Sequence, residues 1–265
     1  MNTSAQDLRV LVTAGAAGIG RVIAETFVKN GARVHVCDVD EKALKELKRK
    51  APALAQLDQD IHRTKADVAD VADVDRLFAD AKRTLGGLDV LVNNAGIAGP
   101  TAKVEDIKIE DWDRCIAVDL NGMFYCTRKA MPLLKAAGGG SIINLSSIAG
   151  RLGFPLRTPY AAAKWAVVGF TQSLAAEAGP DGVRVNCIQP GVVEGERVER
   201  VIDAKAKGLG ISNDEMRAQL LGSVSLKTMV SAQDVANTAL FLATDGGKHI
   251  SGQALSVCGG VRYMV

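Results

Sequence analysis

Little in this 265-residue chain could support histidine or metal chemistry. Its three histidines, His35, His62 and His249, each stand alone. A Ser-His-Asp triad or a histidine zinc site therefore finds almost no material. The five cysteines (Cys37, Cys115, Cys126, Cys187 and Cys258) lie scattered in apolar segments without a CxxC pair. That spacing suits buried, reduced thiols and no metal. Aromatic residues are 4% of the chain, so the core is expected to be Val, Ile, Leu and Ala, as in a parallel sheet under helices. Neither sign of charge dominates: 32 Lys plus Arg against 30 Asp plus Glu give +2, too little for a nucleic-acid-binding field. No run approaches the ~18 apolar residues of a membrane span. With no apolar signal segment before the first strand near Leu8, a cytoplasmic protein is expected. Repeats, low-complexity tracts and linkers are also missing, and the length fits one domain over residues 1–265.

What is present is an alternation of short β-branched runs and helical patterns. The runs are LRVLVT (8–13), RVHVCD (33–38), IHRTKAD (61–67), LDVLVN (88–93), SIINLS (141–146), VRVNCI (183–188) and ALSVC (254–258). Helical patterns include EKALKELKRK (41–50), VDRLFADAKRTL (74–85) and AQDVANTALFLA (232–243). Strands covered on both faces and joined by right-handed helical crossovers predict an α/β Rossmann-type fold, a seven-stranded doubly wound parallel sheet. Residues 194–225 interrupt the alternation with a charged helical segment and form a candidate substrate lid.

After the first strand, TAGAAGIG (13–20) opens a helix at Gly18–Gly20, whose backbone N–H groups suit a pyrophosphate. Asp38, eighteen positions beyond Gly20, can accept hydrogen bonds from ribose hydroxyls and would repel a 2′-phosphate. Ala17 supplies no cation for such a phosphate, so NAD is expected over NADP. Near the end of the fifth strand lie Ser146 and Ser147, and YAAAK (160–164) puts Tyr160 and Lys164 on one helical face. A neighbouring ammonium favours the phenolate of a group whose ordinary pKa is ~10, and a serine hydroxyl can hold the substrate oxygen. Each feature has a plainer reading: an ordinary strand-to-helix turn, a solvated turn aspartate, a surface Tyr-Lys pair. Their joint occurrence makes the case.

Taken in order, TAGAAGIG, Asp67-Val68, NNAG (93–96), Ser147 with YAAAK, and Pro190-Gly191 resemble the short-chain dehydrogenase/reductase family in its compact form of roughly 250 residues, over nearly the whole chain. The resemblance implies NAD-dependent hydride transfer between nicotinamide and a small secondary alcohol or ketone. It makes Tyr160 the general acid/base, Lys164 the ligand of the nicotinamide ribose, and Ser147 the group that orients the carbonyl. It assigns Ala14, Ala17, Gly18, Ile19, Gly20 and Asp38 to the dinucleotide, Asp67 and Val68 to adenine, and Asn94, Ala95 and Gly96 to the ribose. Pro190, Gly191 and Val193 would hold the carboxamide. A catalytically silent NAD-binding regulator of the same fold is the alternative. A sugar-nucleotide epimerase shares YxxxK but usually carries ~80 or more residues after the sixth strand, for which there is no room.

Three positions depart from the family pattern. Asp119, 28 residues before Ser147, stands where asparagine is usual. At ~7 Å and an effective dielectric of ~20 its charge would be worth roughly 2 kcal/mol at Lys164. That would move activity toward alkaline pH, unless Asn121 takes over after a small helix adjustment. Ala14 replaces a glycine, at little cost if φ stays negative, and Gly195 replaces a frequent threonine. In the lid, Arg197 and Arg200 could pair a substrate carboxylate or phosphate. They equally read as a solvated face balanced by Glu194, Glu196 and Glu199. Leu152, Phe154 and Leu156 give the opposite wall an apolar character. Helices over Trp112–Lys135 and Tyr160–Ala178, with the apolar end VRYMV (261–265), suggest the contacts of a homotetramer or dimer.

Overall fold

The computed structural model describes residues 4–47 and 61–264. One parallel sheet has the strand order β3-β2-β1-β4-β5-β6-β7. Its strands are β1 (Arg9–Thr13), β2 (Arg33–Asp38), β3 (His62–Lys65), β4 (Val90–Asn93), β5 (Gly140–Leu145), β6 (Val183–Pro190) and β7 (Ala254–Val257). Helices α1 (Gly18–Lys29), α2 (Glu41–Glu46), α3 (Val71–Leu85), α4 (Ile109–Ile116), α5 (Gly122–Ala136), α6 (Thr158–Ala178), α7 (Glu196–Leu209), α8 (Asn213–Gly222) and α9 (Ala232–Ala243) connect them. This is the expected Rossmann-type sheet. The helix expected over 41–50 is seen at Glu41–Glu46, and residues 48–50 lie outside the described residues. No described helix is long and apolar enough to cross a membrane.

Strand geometry sends successive side chains to opposite faces, and β1 does so with three apolar residues in a row. Val10 and Val12 join Ile23, Phe27 and Leu240 on one face, whereas Leu11 joins Leu77, Phe78 and Leu134 on the other. Val90, Leu91 and Val92 repeat the pattern on β4. Each such side chain is worth about 1.5–3 kcal/mol when fully buried, so the sheet is clamped from both sides. The chain order reverses between β1 and β4. At such a switch point the carboxyl ends of the strands open a crevice for ligands.

Local signals stop and start the helices. The Asp70 side chain accepts from Asp73 N–H at the start of α3, which ends at Gly86 with φ +77°. Ser231 and Asp234 form a reciprocal capping box on α9. Between α4 and α5 the chain makes a π-helical turn at Ala117–Asn121, inside what the sequence presents as one continuous helix. All five cysteines are buried thiols.

Two outer segments carry packing of their own. Helices α7 and α8 bury Ile202, Ala206, Met216 and Leu220 against each other, with Val198 and Met229 beside them. The 194–225 segment therefore carries a small core of its own. The apolar end packs within its own chain: Val261 bridges Val224 antiparallel and is buried with Ile148 and Cys258. Tyr263 stays exposed, and Val265 lies outside the described residues.

Candidate active site

The turn leaving β1 brings the chain back over the sheet edge in four residues. Ala14 has φ +48°, so the condition under which alanine costs little is not met. The tight turn requires the left-handed region, and alanine occupies it under strain. Gly15 leaves no alternative, since a Cβ there would sit 2.7 Å from Val36 Cβ. Ala17 precedes α1 in an extended conformation and offers no side-chain cap. Gly18 has φ +53° and nothing within 4 Å of where a Cβ would point. With no side-chain cap at Ala17, the first N–H groups of α1 are left for an anion. Ile19 packs on the core, and a Cβ on Gly20 would lie 2.2 Å from the Ala14 carbonyl.

Asn94 Nδ2 donates to the carbonyls of Thr13 and Ala14, both at 3.0 Å. Thr13 Oγ1 accepts from the N–H groups of Asn94 and Ala95, again at 3.0 Å. The Asn94 side chain therefore braces the glycine turn, and Thr13, which the sequence did not single out, is its partner. Asp38 ends β2 with its carboxylate held by Ala16 N–H at 3.2 Å and Asp40 N–H at 3.1 Å. Asp67 accepts from Ala69 N–H and pairs with Arg114 at 2.8 Å, while Val68 is buried beneath Gly122.

The candidate reacting residues come together where β5 meets α6. Ser146 Oγ donates to the Lys164 carbonyl at 2.8 Å. A Cβ on Gly150 would sit 2.4 Å from that same carbonyl, so glycine lets the turn after β5 seat against α6. Ser147 is buried and extended, its Oγ accepting from Ala149 N–H at 3.1 Å. Tyr160 is half-buried on the first turn of α6, and Lys164 Nζ lies 5.6 Å from its ring centroid. That ammonium, 3% exposed, donates to the Leu145 carbonyl at 3.1 Å and meets Asp119 Oδ2 at 3.2 Å. Asp119 is thus a direct counter-ion, far nearer than the ~7 Å assumed from sequence. The π-helical turn aims it inward, and its other oxygen accepts from Ile97 N–H at 2.7 Å. It is Asp119 and not Asn121 that meets Lys164. Gly96 lies over the pair: a Cβ there would come within 3.2 Å of Lys164 Nζ.

Around Tyr160 stand two more cations. The Arg157 guanidinium carbon is 5.5 Å from the ring centroid and that of Arg197 is 5.7 Å. Arg157 is 2% exposed and donates to the Ala98 carbonyl. Burial holds its pKa below the ordinary arginine value. Arg197, at the start of α7, donates to the Gly96 carbonyl at 3.3 Å and so ties α7 to the loop after β4. Lys205 of α7 is 3% exposed with Nζ 4.3 Å from the Phe154 ring centroid, and burial pushes its pKa down to about 8. Neither Arg157 nor Lys205 was singled out from sequence, because nothing in their neighbours signals burial. Arg200 is exposed. Glu199, expected to balance these arginines, is paired instead with Arg217 of α8.

Pro190 ends β6, and Gly191 N–H donates to the Val257 carbonyl at 2.9 Å. Val193 bridges Val230 in parallel. Gly195 has φ +134°, a conformation that would strain the threonine often found there. Leu152 to Pro155 and Arg262 to Met264 enclose an open cleft of about 450 Å³ beside this wall.

Comparison with known proteins agrees with this architecture. Residues 14–262 match the family model described as enoyl-(acyl carrier protein) reductase. A probable galactose dehydrogenase of Rhizobium meliloti (strain 1021) is 36% identical over 97% of this chain and 95% of its own. An actinorhodin polyketide ketoreductase variant, solved with NADPH, superposes with a TM-score of 0.90 at 31% identity, over 97% of this chain and 98% of its own. A 7α-hydroxysteroid dehydrogenase, solved with NADH and 7-oxo glycochenodeoxycholic acid, gives a TM-score of 0.89 at 29% identity, over 98% and 96%.

Proposed function

This chain belongs to the short-chain dehydrogenase/reductase family, whose members bind a nicotinamide cofactor, and on that premise we propose that it is an NAD-dependent dehydrogenase or reductase acting on a small polar or cyclic secondary alcohol and its ketone. In this reading residues 1–265 are one dinucleotide-binding domain with 194–225 as its substrate lid, working in the cytoplasm as a homotetramer. The observation that carries the chemistry is the stack of Tyr160 over Lys164, with the ammonium fixed by the Leu145 carbonyl and Asp119. Bound nicotinamide supplies the hydride acceptor or donor. The uncapped start of α1, the open Gly18 and the anchored Asp38 carboxylate support its binding. A carboxylate fixed by two backbone amides beside the turn can accept from a ribose diol and repels a phosphate there, which favours NAD.

In the oxidative direction Tyr160 Oη takes the proton of the alcohol hydroxyl as the hydride leaves the carbon. Lys164 stabilises the negative charge on the phenol oxygen, and Ser147 Oγ donates to the substrate oxygen. Ser147 is buried at the end of β5 in an extended conformation, so its hydroxyl is positioned before substrate arrives. Lys164 acts through position as well: its carbonyl and ammonium are both held, so the α6 turn bearing Tyr160 cannot drift from β5.

The test is a screen of secondary alcohols with NAD and NADP in parallel, followed at the NADH absorbance band, with Tyr160→Phe as the blank. Turnover with NAD is expected, and Tyr160→Phe should lower kcat at least about a hundredfold. Equal turnover in the Phe variant would remove the acid/base role. Higher kcat/KM with NADP would overturn the cofactor assignment.

A further inference from the structure

The charges around Tyr160 do not balance. Lys164 and Asp119 form a pair that is neutral as a unit. Beyond it stand Arg157 and Arg197, their guanidinium carbons 5.5 and 5.7 Å from the Tyr160 ring centroid. Among the described residues no carboxylate lies within ion-pairing distance of either; the ion pairs of the lid, Glu199 with Arg217 and Asp203 with Lys207, point elsewhere. Phe154 carries a third cation: Lys205 Nζ is 4.3 Å from its centroid, and the Arg157 guanidinium carbon is 5.3 Å from the same ring.

Arg157 is the telling member. It is 2% exposed, and its Nε has no hydrogen-bond partner. Burying a guanidinium without a counter-charge is costly, and a buried N–H left unmatched adds to the cost. Such a group persists where a ligand completes it. Burial, then the nearby Arg157, hold the Lys205 pKa down, so an anion placed beside these two side chains would favour their charged forms. The adjoining wall of Leu152, Phe154 and Leu156 is apolar. This suits an aliphatic body ending in one anionic group rather than a polyhydroxylated one.

We propose that the substrate is an oxo acid or hydroxy acid whose carboxylate is bound by Arg157, Arg197 and Lys205 while its carbonyl or hydroxyl meets Tyr160. The proposal rests on the dehydrogenase reading for the reacting end alone. The planar guanidinium of Arg157 offers a carboxylate paired N–H donors, which an ester or ketone oxygen cannot use equally. Arg197 belongs to the lid and already touches the Gly96 carbonyl, so the carboxylate also links lid to core.

Equilibrium binding separates this proposal from the hydride reading. The holoenzyme, saturated with whichever of NAD or NADP it binds so that no hydride can pass to a ketone, is titrated calorimetrically with 2-, 3-, 4- and 5-oxo acids, from pyruvate to 5-oxohexanoate, and with their methyl esters. At least one acid should bind tenfold or more tightly than its ester, with the ratio falling between 50 and 500 mM salt. Arg157→Gln and Lys205→Met should each bring that ratio toward one. Thermal melts check folding, and if one variant is unfolded the other decides. Esters binding as tightly as acids throughout, or a ratio unmoved in the folded variants, would overturn the proposal. Binding of acids without turnover would count against hydride transfer and leave the anion site standing.

Discussion

At the scale of single residues, two departures from the family pattern have physical consequences. Ala14 sits at φ +48°, where an L side chain costs about 1–2 kcal/mol, while glycine would give back part of this through the greater freedom of the unfolded chain. Ala14→Gly should therefore raise stability by about 0.5–1 kcal/mol, read as a higher urea midpoint at constant slope. A lower midpoint would show that the turn is not strained. Asp119 is different because it serves two partners, the Lys164 ammonium and the Ile97 N–H. An asparagine keeps an acceptor for Ile97, so Asp119→Asn should hold kcat within about tenfold of the parent. Asp119→Leu leaves the buried Lys164 ammonium without its counter-ion and the Ile97 N–H without its acceptor, and should cost about 3–5 kcal/mol in urea unfolding. Equal stability of the Leu and Asn variants would mean that the pair contributes nothing.

Between residues and the whole lie the elements, where a buried histidine makes the edge of the sheet sensitive to acid. His35 of β2 is 1% exposed, with Nε2 2.9 Å from Thr64 Oγ1 of β3 and Nδ1 2.9 Å from Thr84 Oγ1 of α3. Thr64 Oγ1 donates to Asp80, so a neutral ring with its proton on Nε2 completes the chain. Burial, then the neighbouring His62 and Arg83, push the His35 pKa down to about 4 against the pull of Asp80. The unfolded chain takes up this proton near pH 6.5, so stability is intact above that value and falls as pH drops toward 4. At pH 5 the loss is about 2 kcal/mol. Urea unfolding at pH 7 and pH 5 should show it in the parent and not in His35→Gln, and the same pH dependence in both would exclude His35 as the cause. The strands themselves were legible in the sequence, because β-branched runs and their bounding turns depend on local pattern alone. The π-helical turn at Ala117–Asn121 was not: it interrupts a pattern that is helical on both sides, and its effect is to swing Asp119 onto Lys164 from another element. Arg157 and Lys205 were equally hidden, since the burial of a cation is decided by what folds over it. The approach of Lys164 to Tyr160 and the glycine turn were readable because each lies within one helix or one strand-turn-helix unit, where spacing fixes the neighbourhood.

For the whole molecule, the exposed apolar residues argue for assembly. Both tryptophans are exposed, Trp112 on α4 at 39% and Trp165 on α6 at 51%, and Phe124 on α5 is exposed at 46%. Scattered surface apolars are ordinary, but here large aromatic rings stand exposed on three consecutive helices, α4, α5 and α6. At the chain end Val261 is buried in its own fold, while Tyr263 is exposed. Closed symmetric assemblies reuse one patch on each copy, so a single charged substitution within the patch is felt in every subunit. Light scattering coupled to size exclusion should give a mass near four times 27.8 kDa for the parent, and Trp165→Arg or Phe124→Arg should bring it down to a dimer or monomer. Trp165 lies one position from Lys164 on α6, so dissociation should also loosen the turn that carries Tyr160 and lower kcat in proportion to the dissociated fraction. A parent that runs as a monomer at micromolar concentration, or Arg variants that remain tetrameric, would remove these helices from any interface.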